Sequence, residues 1–171
     1  MSIEVSLGTR GTIWLALLVF AIPAGITVYV ISANKTLNLL GFQTGILMAF
    51  YTLLFVGALF LLKGSIIIDD DSLYIRSPIN KHEYRLSDVR LRHAFELTGE
   101  EAKKKKLTLR TWGVGLPGFL SGSFKTADQS DVAVLSATKD RVYIPTDSGP
   151  DIIIDAEAFS QLNAQLGYDE T

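Results

Sequence analysis

The side chains best suited to ligand binding in this sequence are basic and close together. Residues 103–106 are four consecutive lysines, and Arg110 follows after three residues. A lysine close to an anionic leaflet contributes about 1 kcal/mol of attraction. The run therefore predicts a contact with anionic lipid headgroups, whereas the neighbouring Glu100 and Glu101 favour a solvated, self-compensated loop. The candidate contact residues are Lys103, Lys104, Lys105, Lys106 and Arg110.

A glycine-rich segment follows the basic run. Residues 113–119 read Gly-Val-Gly-Leu-Pro-Gly-Phe, which matches neither the dinucleotide-binding fingerprint nor the P-loop. Pro117 also lacks the N–H group that a phosphate-binding loop would use. The segment therefore predicts a structural turn beside packed aromatic rings, and contact of those rings with a peptide or ligand is the alternative. The turn and interaction candidates are Trp112, Gly113, Gly115, Pro117, Gly118 and Phe119.

Sequence patterns of catalysis and metal binding are missing. There is no cysteine, and His82 and His93 have no spacing that predicts a shared metal. The aspartates at 69–71 lack the spacing of a calcium-binding loop, and no Gly-x-Ser-x-Gly motif supplies a nucleophile. We therefore expect no enzymatic activity, no metal and no cofactor. The net charge of −2 gives no general basic field, so we also expect no nucleic-acid partner.

The element that must position these residues is a long apolar stretch near the N-terminus. No charged residue occurs at 12–34 or at 36–62, and each half is about the 20 residues that a helix needs to cross a bilayer. A cleaved signal peptide is the alternative, but the first run is longer than a typical signal-peptide core. The pattern predicts a transmembrane helical hairpin that anchors the chain, at residues 1–63, with spans at about 12–31 and 39–62.

Small residues recur along both predicted spans. Gly41, Gly45 and Ala49 follow one another at four-residue steps in the second span, and Ala21 and Gly25 have the same spacing in the first. Such spacing lets helix backbones approach closely. It predicts packing of the two helices against each other, and homodimerisation through the same face is the alternative.

Basic residues decide the predicted orientation. Arg10 and Lys63 flank the outer ends of the hairpin, and Lys35 is the single charge between the two apolar halves. Because basic residues are retained on the cytoplasmic side, we expect a two-span protein of the cell membrane with both termini in the cytoplasm. No ionisable residue lies within either span, which argues against an ion or proton path.

Residues 64–171 have the pattern of a mainly β soluble domain. Short apolar or alternating runs are separated by turn residues. Near the C-terminus Phe159, Leu162 and Leu166 share one face at helical spacing, with Asp155 as a suitable N-cap. The segment therefore predicts an α+β, mainly β fold: a barrel or sandwich capped by a C-terminal helix. The predicted strands are 65–69, 73–77, 82–86, 89–97, 107–112, 132–136, 141–145 and 152–154, and the predicted helix is 156–166.

Three of these stretches resemble a known family. Arg-Thr-Trp-Gly-Val-Gly-Leu-Pro-Gly-Phe at 110–119, Gly-Ser-Phe at 122–124 and Arg-Val-Tyr-Ile at 141–144 are similar to the bacterial pleckstrin-homology-like (PH-like) domains of small membrane proteins. The resemblance covers about 63–166. It implies a non-enzymatic module on a membrane anchor, and it carries over no catalytic residue.

The expected function is that of an integral membrane protein that presents a PH-like interaction or scaffold module at the cytoplasmic face. An exposed groove or sheet edge would bind a protein partner or a second copy of the chain. One alternative is an anionic-lipid sensor that uses residues 103–106. Another is an accessory subunit of a membrane transport complex.

Overall fold

The computed structural model describes residues 2–25, 28–29, 40–77 and 79–167; at residues 10, 40–48 and 61 it describes the backbone alone. The strands are β1 (Ser2–Ser6), β2 (Lys63–Asp69), β3 (Ser72–Arg76), β4 (Lys81–Arg85), β5 (Phe95–Glu96), β6 (Leu107–Leu116), β7 (Phe119–Thr126), β8 (Asp131–Ser136), β9 (Arg141–Ile144) and β10 (Asp151–Asp155). The helices are α1 (Thr9–Ala16), α2 (Leu40–Leu61), α3 (Gly99–Lys104) and α4 (Ala156–Leu166).

The strands form two sheets. One contains β1 to β4 in chain order, and the other has six strands in the order β5-β9-β10-β8-β7-β6. Neighbouring strands are antiparallel except β8 and β10, which are parallel. The mainly β fold with a C-terminal helix, predicted from the alternating runs, is thus confirmed.

The main core lies where one face of the six-stranded sheet meets the four-stranded sheet and α4. Its side chains come from alternate positions of the strands, so Ile152 and Ile154 point into it while Ile153 belongs to a smaller cluster on the opposite face. Leu162 of α4 is fully buried in the main core. The predicted packing of α4 on the sheet is confirmed, and its bounds agree with the prediction.

The N-terminal strand was missed by the sequence analysis. β1 pairs with β2 in antiparallel register, from Ser2 opposite Ile67 to Ser6 opposite Lys63. Ile3 and Val5 are buried in the main core. The apolar helices are therefore inserted between two adjacent strands, and the chain leaves and re-enters the domain at neighbouring points.

The helical stem consists of residues 9–25 and α2. α1 continues as a π-helical turn at Leu17–Ala21 and as helix through 22–25. Across the described residues, no helix combines the length and the apolar character that crossing a bilayer requires. The predicted two-span anchor therefore has no support there, and its predicted loop, 32–38, lies outside the described residues.

The two stem helices contact each other through aromatic rings. The ring centroids of Phe20 and Phe55 are 5.2 Å apart. Ala21 and Ala49 are exposed, and no described atom lies within 4 Å of the position that a Cβ on Gly25 would occupy. At Gly41 and Gly45 only the backbone is described, without its burial, so their predicted role in helix packing stays a prediction.

Two local predictions were wrong. The single strand expected at 89–97 is replaced by short 3₁₀ helices at Leu86–Asp88 and Leu91–His93 and by the two-residue strand β5. Local hydrogen bonds such as His93 N–H to Arg90 O tighten this segment and prevent an extended strand. The stretch 99–104, expected as part of a polar loop, forms α3.

Candidate functional site

A groove lies on the face of the six-stranded sheet that is turned away from the main core. Its volume is about 700 Å³, within the range of ligand-binding clefts. The floor contains Leu120 and Phe124 of β7 and Ile153 of β10. Phe124 and Ile153 belong to the buried smaller cluster, and Leu120, packed against it, is the half-buried residue of the floor. We refer to this cavity as the basic groove, for the side chains at its rims.

Two separate chain segments supply basic rims. Lys106 and Arg110 stand at the start of β6, at one edge of the sheet. Lys139, in the turn between β8 and β9, and Arg141, at the start of β9, stand on the other side. None of the described residues that line the groove is acidic. The groove is therefore suited to an anionic ligand with an apolar part.

The rim cations are available for a ligand. Among the described residues, no carboxylate forms an ion pair with Lys106, Arg110, Lys139 or Arg141. Arg141 is half-buried, and its Nε–H donates to Ser136 Oγ at 2.9 Å. Burial lowers the pKa of Arg141, while the charge of Asp155 acts in the opposite direction.

A family model for the bacterial PH domain matches residues 64–168, more than half of the 171-residue chain. The chain belongs to the bacterial PH domain family. Comparisons with curated proteins and with solved structures found no match. The match begins at Gly64, so β1 and the helical stem precede it in the chain. The PH-like domain predicted from the glycine and aromatic motifs is thus confirmed.

The structure of this bacterial PH domain divides the lysine run into three parts. Lys103 pairs with Glu100 at 2.6 Å, and Lys104 pairs with Glu101 at 2.9 Å, both on the exposed surface of α3. Such exposed pairs contribute little to stability. Lys105 is held inside the domain, and only Lys106 continues into the basic groove as a free cation. The four lysines therefore do not form one continuous contact surface.

Lys105 connects α3 to the sheet. Its Nζ is 2.6 Å from an Asp128 oxygen and 4.4 Å from the ring centroid of Tyr143. Partial burial alone would lower the pKa of Lys105, but its contacts with Asp128 and Tyr143 raise it overall. The side chain is only 15% exposed. Lys105 thus lines the basic groove but acts as a structural link between α3 and the sheet.

Acid should weaken this link in a predictable way. Partial burial alone would raise the pKa of Asp128, but hydrogen bonds from Lys105, Thr126 and Ser130 hold it well below its usual range. Ionised Asp128 therefore stabilises the fold above the unfolded-state pKa of about 3.9, and this contribution is lost as the pH falls through the lower folded-state value. We expect Asp128→Asn to lower the free energy of unfolding at neutral pH. The difference in this free energy between variant and wild type should become smaller as the pH falls below about 4. Urea denaturation at a series of pH values measures this; a difference that does not change with pH contradicts it.

The glycine-rich segment is mostly strand. Gly113 and Gly115 lie within β6, and only Pro117 and Gly118 form the turn to β7. The prediction of a structural role for these glycines agrees with their backbone: Gly113 has φ of 129° and Gly118 has φ of 85°. Phe119 is buried in the main core.

Trp112 lies on the exposed surface of β6. Its Nε1–H donates to Ile79 O at 3.2 Å, and the ring is 62% exposed. β6 is the outermost strand of its sheet, and Leu109 is also exposed along it. Leu109 lines the basic groove with Arg110, whereas Trp112 does not line it.

One polar cluster connects the two sheets. Asn80 and His82 of the first sheet region contact Ser123 Oγ of β7, at 3.1 Å and 3.2 Å. Burial lowers the pKa of His82. Within the described part of the chain, the side chains at hydrogen-bond distance from the His82 ring are Asn80 and Ser123, neither of which is acidic. Among the described residues, no three metal-ligating side chains group together. We assign the cluster a structural role.

Sequence reasoning found one rim of the basic groove and missed the other. Lys106 and Arg110 were candidates because they belong to a basic run. Lys139 and Arg141 are about 30 positions away and are brought near by the order of the strands, in which β8 and β10 separate β9 from β7. The only sequence signal was the presence of two basic residues around a predicted turn.

Proposed function

We propose that this bacterial PH domain protein is a membrane-attached interaction module that binds an anionic partner in the basic groove and performs no catalysis. The observation that carries the proposal is the groove itself: an apolar floor between two basic rims, with no acidic residue among the described residues of its lining. Charges of one sign around an apolar surface attract a complementary ligand and fix its orientation.

Membrane attachment is supported by the surface of the helical stem. Large apolar side chains are exposed along both stem helices, among them Trp14, Leu53 and Phe60. No charged residue occurs at 12–34 or 36–62. An apolar surface of this extent needs a covering in a stable molecule, and lipid is the covering that an uncharged helical surface favours. The cytoplasmic placement of both termini follows from Arg10 and Lys63 and belongs to the same proposal.

A charge placed on the stem tests membrane attachment. Leu53 is 70% exposed, and we expect the double variant Leu53→Arg/Leu54→Arg to leave the membrane fraction, because a charged side chain is costly to transfer from water into an apolar environment. The control is Leu109→Arg, which puts a single arginine on an exposed leucine of β6, outside the stem. Alkaline extraction of membranes measures the outcome. Equal retention of all three proteins contradicts the proposal.

Docking of the domain on anionic lipid headgroups is the second candidate. A further cavity of about 740 Å³ lies where the domain meets the stem, beside Trp14 and the β6–β7 turn. It shares Leu120, Lys139 and Arg141 with the basic groove. A headgroup that enters from a membrane around the stem would reach Lys139 and Arg141 first. This candidate predicts that anionic lipid competes with other ligands of the groove.

A further inference from the structure

We propose that the basic groove binds an extended protein segment with acidic residues at both ends and apolar residues in the middle. The inference deepens the proposed function, on which it rests, by naming the partner chemistry. The segment would lie across the strands, with its acidic ends at the Lys106–Arg110 rim and at the Lys139–Arg141 rim. Its central side chains would contact Leu120, which is half-buried beside the buried ring of Phe124.

The distance between the rims sets the length of the ligand. Four strand spacings separate β6 from β9 in the order β6-β7-β8-β10-β9. At about 4.8 Å a spacing, the two strands are about 19 Å apart. An extended chain advances about 3.3 Å a residue, so about six residues cross the groove. Such a segment has an acidic pair at each end and an apolar pair between them.

The charge pattern distinguishes this occupant from two others. A phospholipid carries its negative charge at one end, so it would satisfy one rim and leave the cations of the other rim without a counter-charge. A second copy of this chain offers the exposed turn at 69–71, but its three aspartates are consecutive, so it too would bring its negative charge to one rim. An acidic–apolar–acidic segment of another protein satisfies both rims and the floor.

The rim side chains can bind without disturbing the fold. Lys106, Arg110 and Lys139 are exposed, and Arg110 Nη1 lies 3.6 Å from where a Cβ on Gly115 would stand. Gly115 thus leaves space beside the guanidinium group. Planar guanidinium groups bind carboxylates through two parallel hydrogen bonds, which suits Arg110 to a glutamate or aspartate at the end of the segment.

The experiment uses the full chain in neutral detergent and a fluorescent peptide, Glu-Glu-Leu-Val-Glu-Glu. The matched peptide Leu-Glu-Glu-Glu-Glu-Val has the same composition and charge in a different order. Fluorescence anisotropy compares wild type with Lys106→Gln/Arg110→Gln and with Lys139→Gln. The control variant, Lys103→Gln/Lys104→Gln, removes two lysines of the same run that lie outside the groove.

We expect the first peptide to bind wild type and the control variant equally. Each rim variant should weaken binding, Lys106→Gln/Arg110→Gln by about tenfold or more, since two charge-assisted contacts are lost. The reordered peptide should bind at least about tenfold more weakly. Equal binding of both peptides, equal loss in the control variant, or no binding to wild type overturns the inference.

Anionic lipid provides a further arm. Mixed micelles that contain phosphatidylglycerol should leave peptide binding within about twofold of the neutral value at matched ionic strength. If the lipid displaces the peptide from wild type but not from the Lys139→Gln variant, the inference is overturned in favour of headgroup docking. The membrane-extraction result is independent of both. A wild-type protein that alkaline extraction releases but that binds the peptide contradicts only the proposed attachment, and a wild-type protein that stays in the membrane but does not bind the peptide contradicts only the inferred partner.

Discussion

Replacement of Gly113 by alanine is expected to prevent stable folding of the domain. A Cβ at this position would stand 2.1 Å from Ser121 O, a backbone atom that cannot move independently of β7. The φ angle of 129° is also one that residues with side chains rarely adopt. Steric overlap and backbone strain act together, so we expect a loss of more than about 3 kcal/mol in the free energy of unfolding.

Gly115→Ala is the matched control for this substitution. It changes a glycine two positions further along β6, where the nearest atoms to the new Cβ would be at 3.5 Å and 3.6 Å, ordinary contact distances. We expect a change below about 1 kcal/mol. Urea denaturation of the full chain in detergent measures both variants. Similar stability of the two variants would show that the close approach of β6 and β7 at Gly113 is not required.

Replacement of Asp155 by alanine is expected to be the next most damaging change. Asp155 is buried and accepts hydrogen bonds from Ser136 Oγ at 2.7 Å, from the Thr138 N–H at 3.0 Å and from Thr138 Oγ1 at 2.7 Å. The Ala137 N–H donates to its second oxygen at 2.9 Å. Removal of the carboxylate leaves these donors without their acceptor, and we expect a loss of about 3 kcal/mol.

Asp140→Ala is the control for Asp155→Ala. Asp140 lies in the same β8–β9 turn, but its side chain is exposed, so its loss should change stability by less than about 0.5 kcal/mol. Because Arg141 and Lys139 belong to the turn that Asp155 holds, Asp155→Ala should also weaken binding at the basic groove. Thermal unfolding measures the first effect. Equal unfolding midpoints for the two variants would contradict the assignment.

Asp155 illustrates how far sequence reasoning reached. The sequence predicted it as the N-cap of α4, and it does occupy the N-cap position. Its side chain makes no capping hydrogen bond but binds the β8–β9 turn. Local propensity identifies a residue that can accept hydrogen bonds at a helix start. The groups that donate hydrogen bonds to its carboxylate depend on which strands lie beside it, and the local sequence does not specify those neighbours.

The strands that the sequence predicted well are those with strong local signals. β8 and β10 contain apolar runs, and the turn between β2 and β3 contains Asp70, whose φ of 45° an aspartate tolerates. β1 was missed because its five residues pair with a strand that follows the whole stem. A contact between such distant segments has no local signature, although Ile3 and Val5 alternate as a half-buried strand requires.

The candidate site was predicted only in part for the same reason. The basic run at 103–106 was conspicuous, but three of its four lysines are engaged in ion pairs with carboxylates. The residues that form the second rim follow from the strand order of the sheet. The charge pattern of the sequence therefore located one basic rim, but it did not show which residues line the same groove.

The central claim is that a stem embedded in lipid holds an accessible bacterial PH domain at a membrane, and cysteine labelling tests it most directly. The chain has no cysteine, so Leu53→Cys and Leu109→Cys each create a single reactive thiol, one on the stem and one beside the basic groove. The reagent is a membrane-impermeant maleimide, applied to opened membrane fragments before and after detergent. We predict that the Leu109→Cys protein reacts at once and that the Leu53→Cys protein reacts only in detergent. Rapid reaction of the Leu53→Cys protein in intact lipid would contradict the claim.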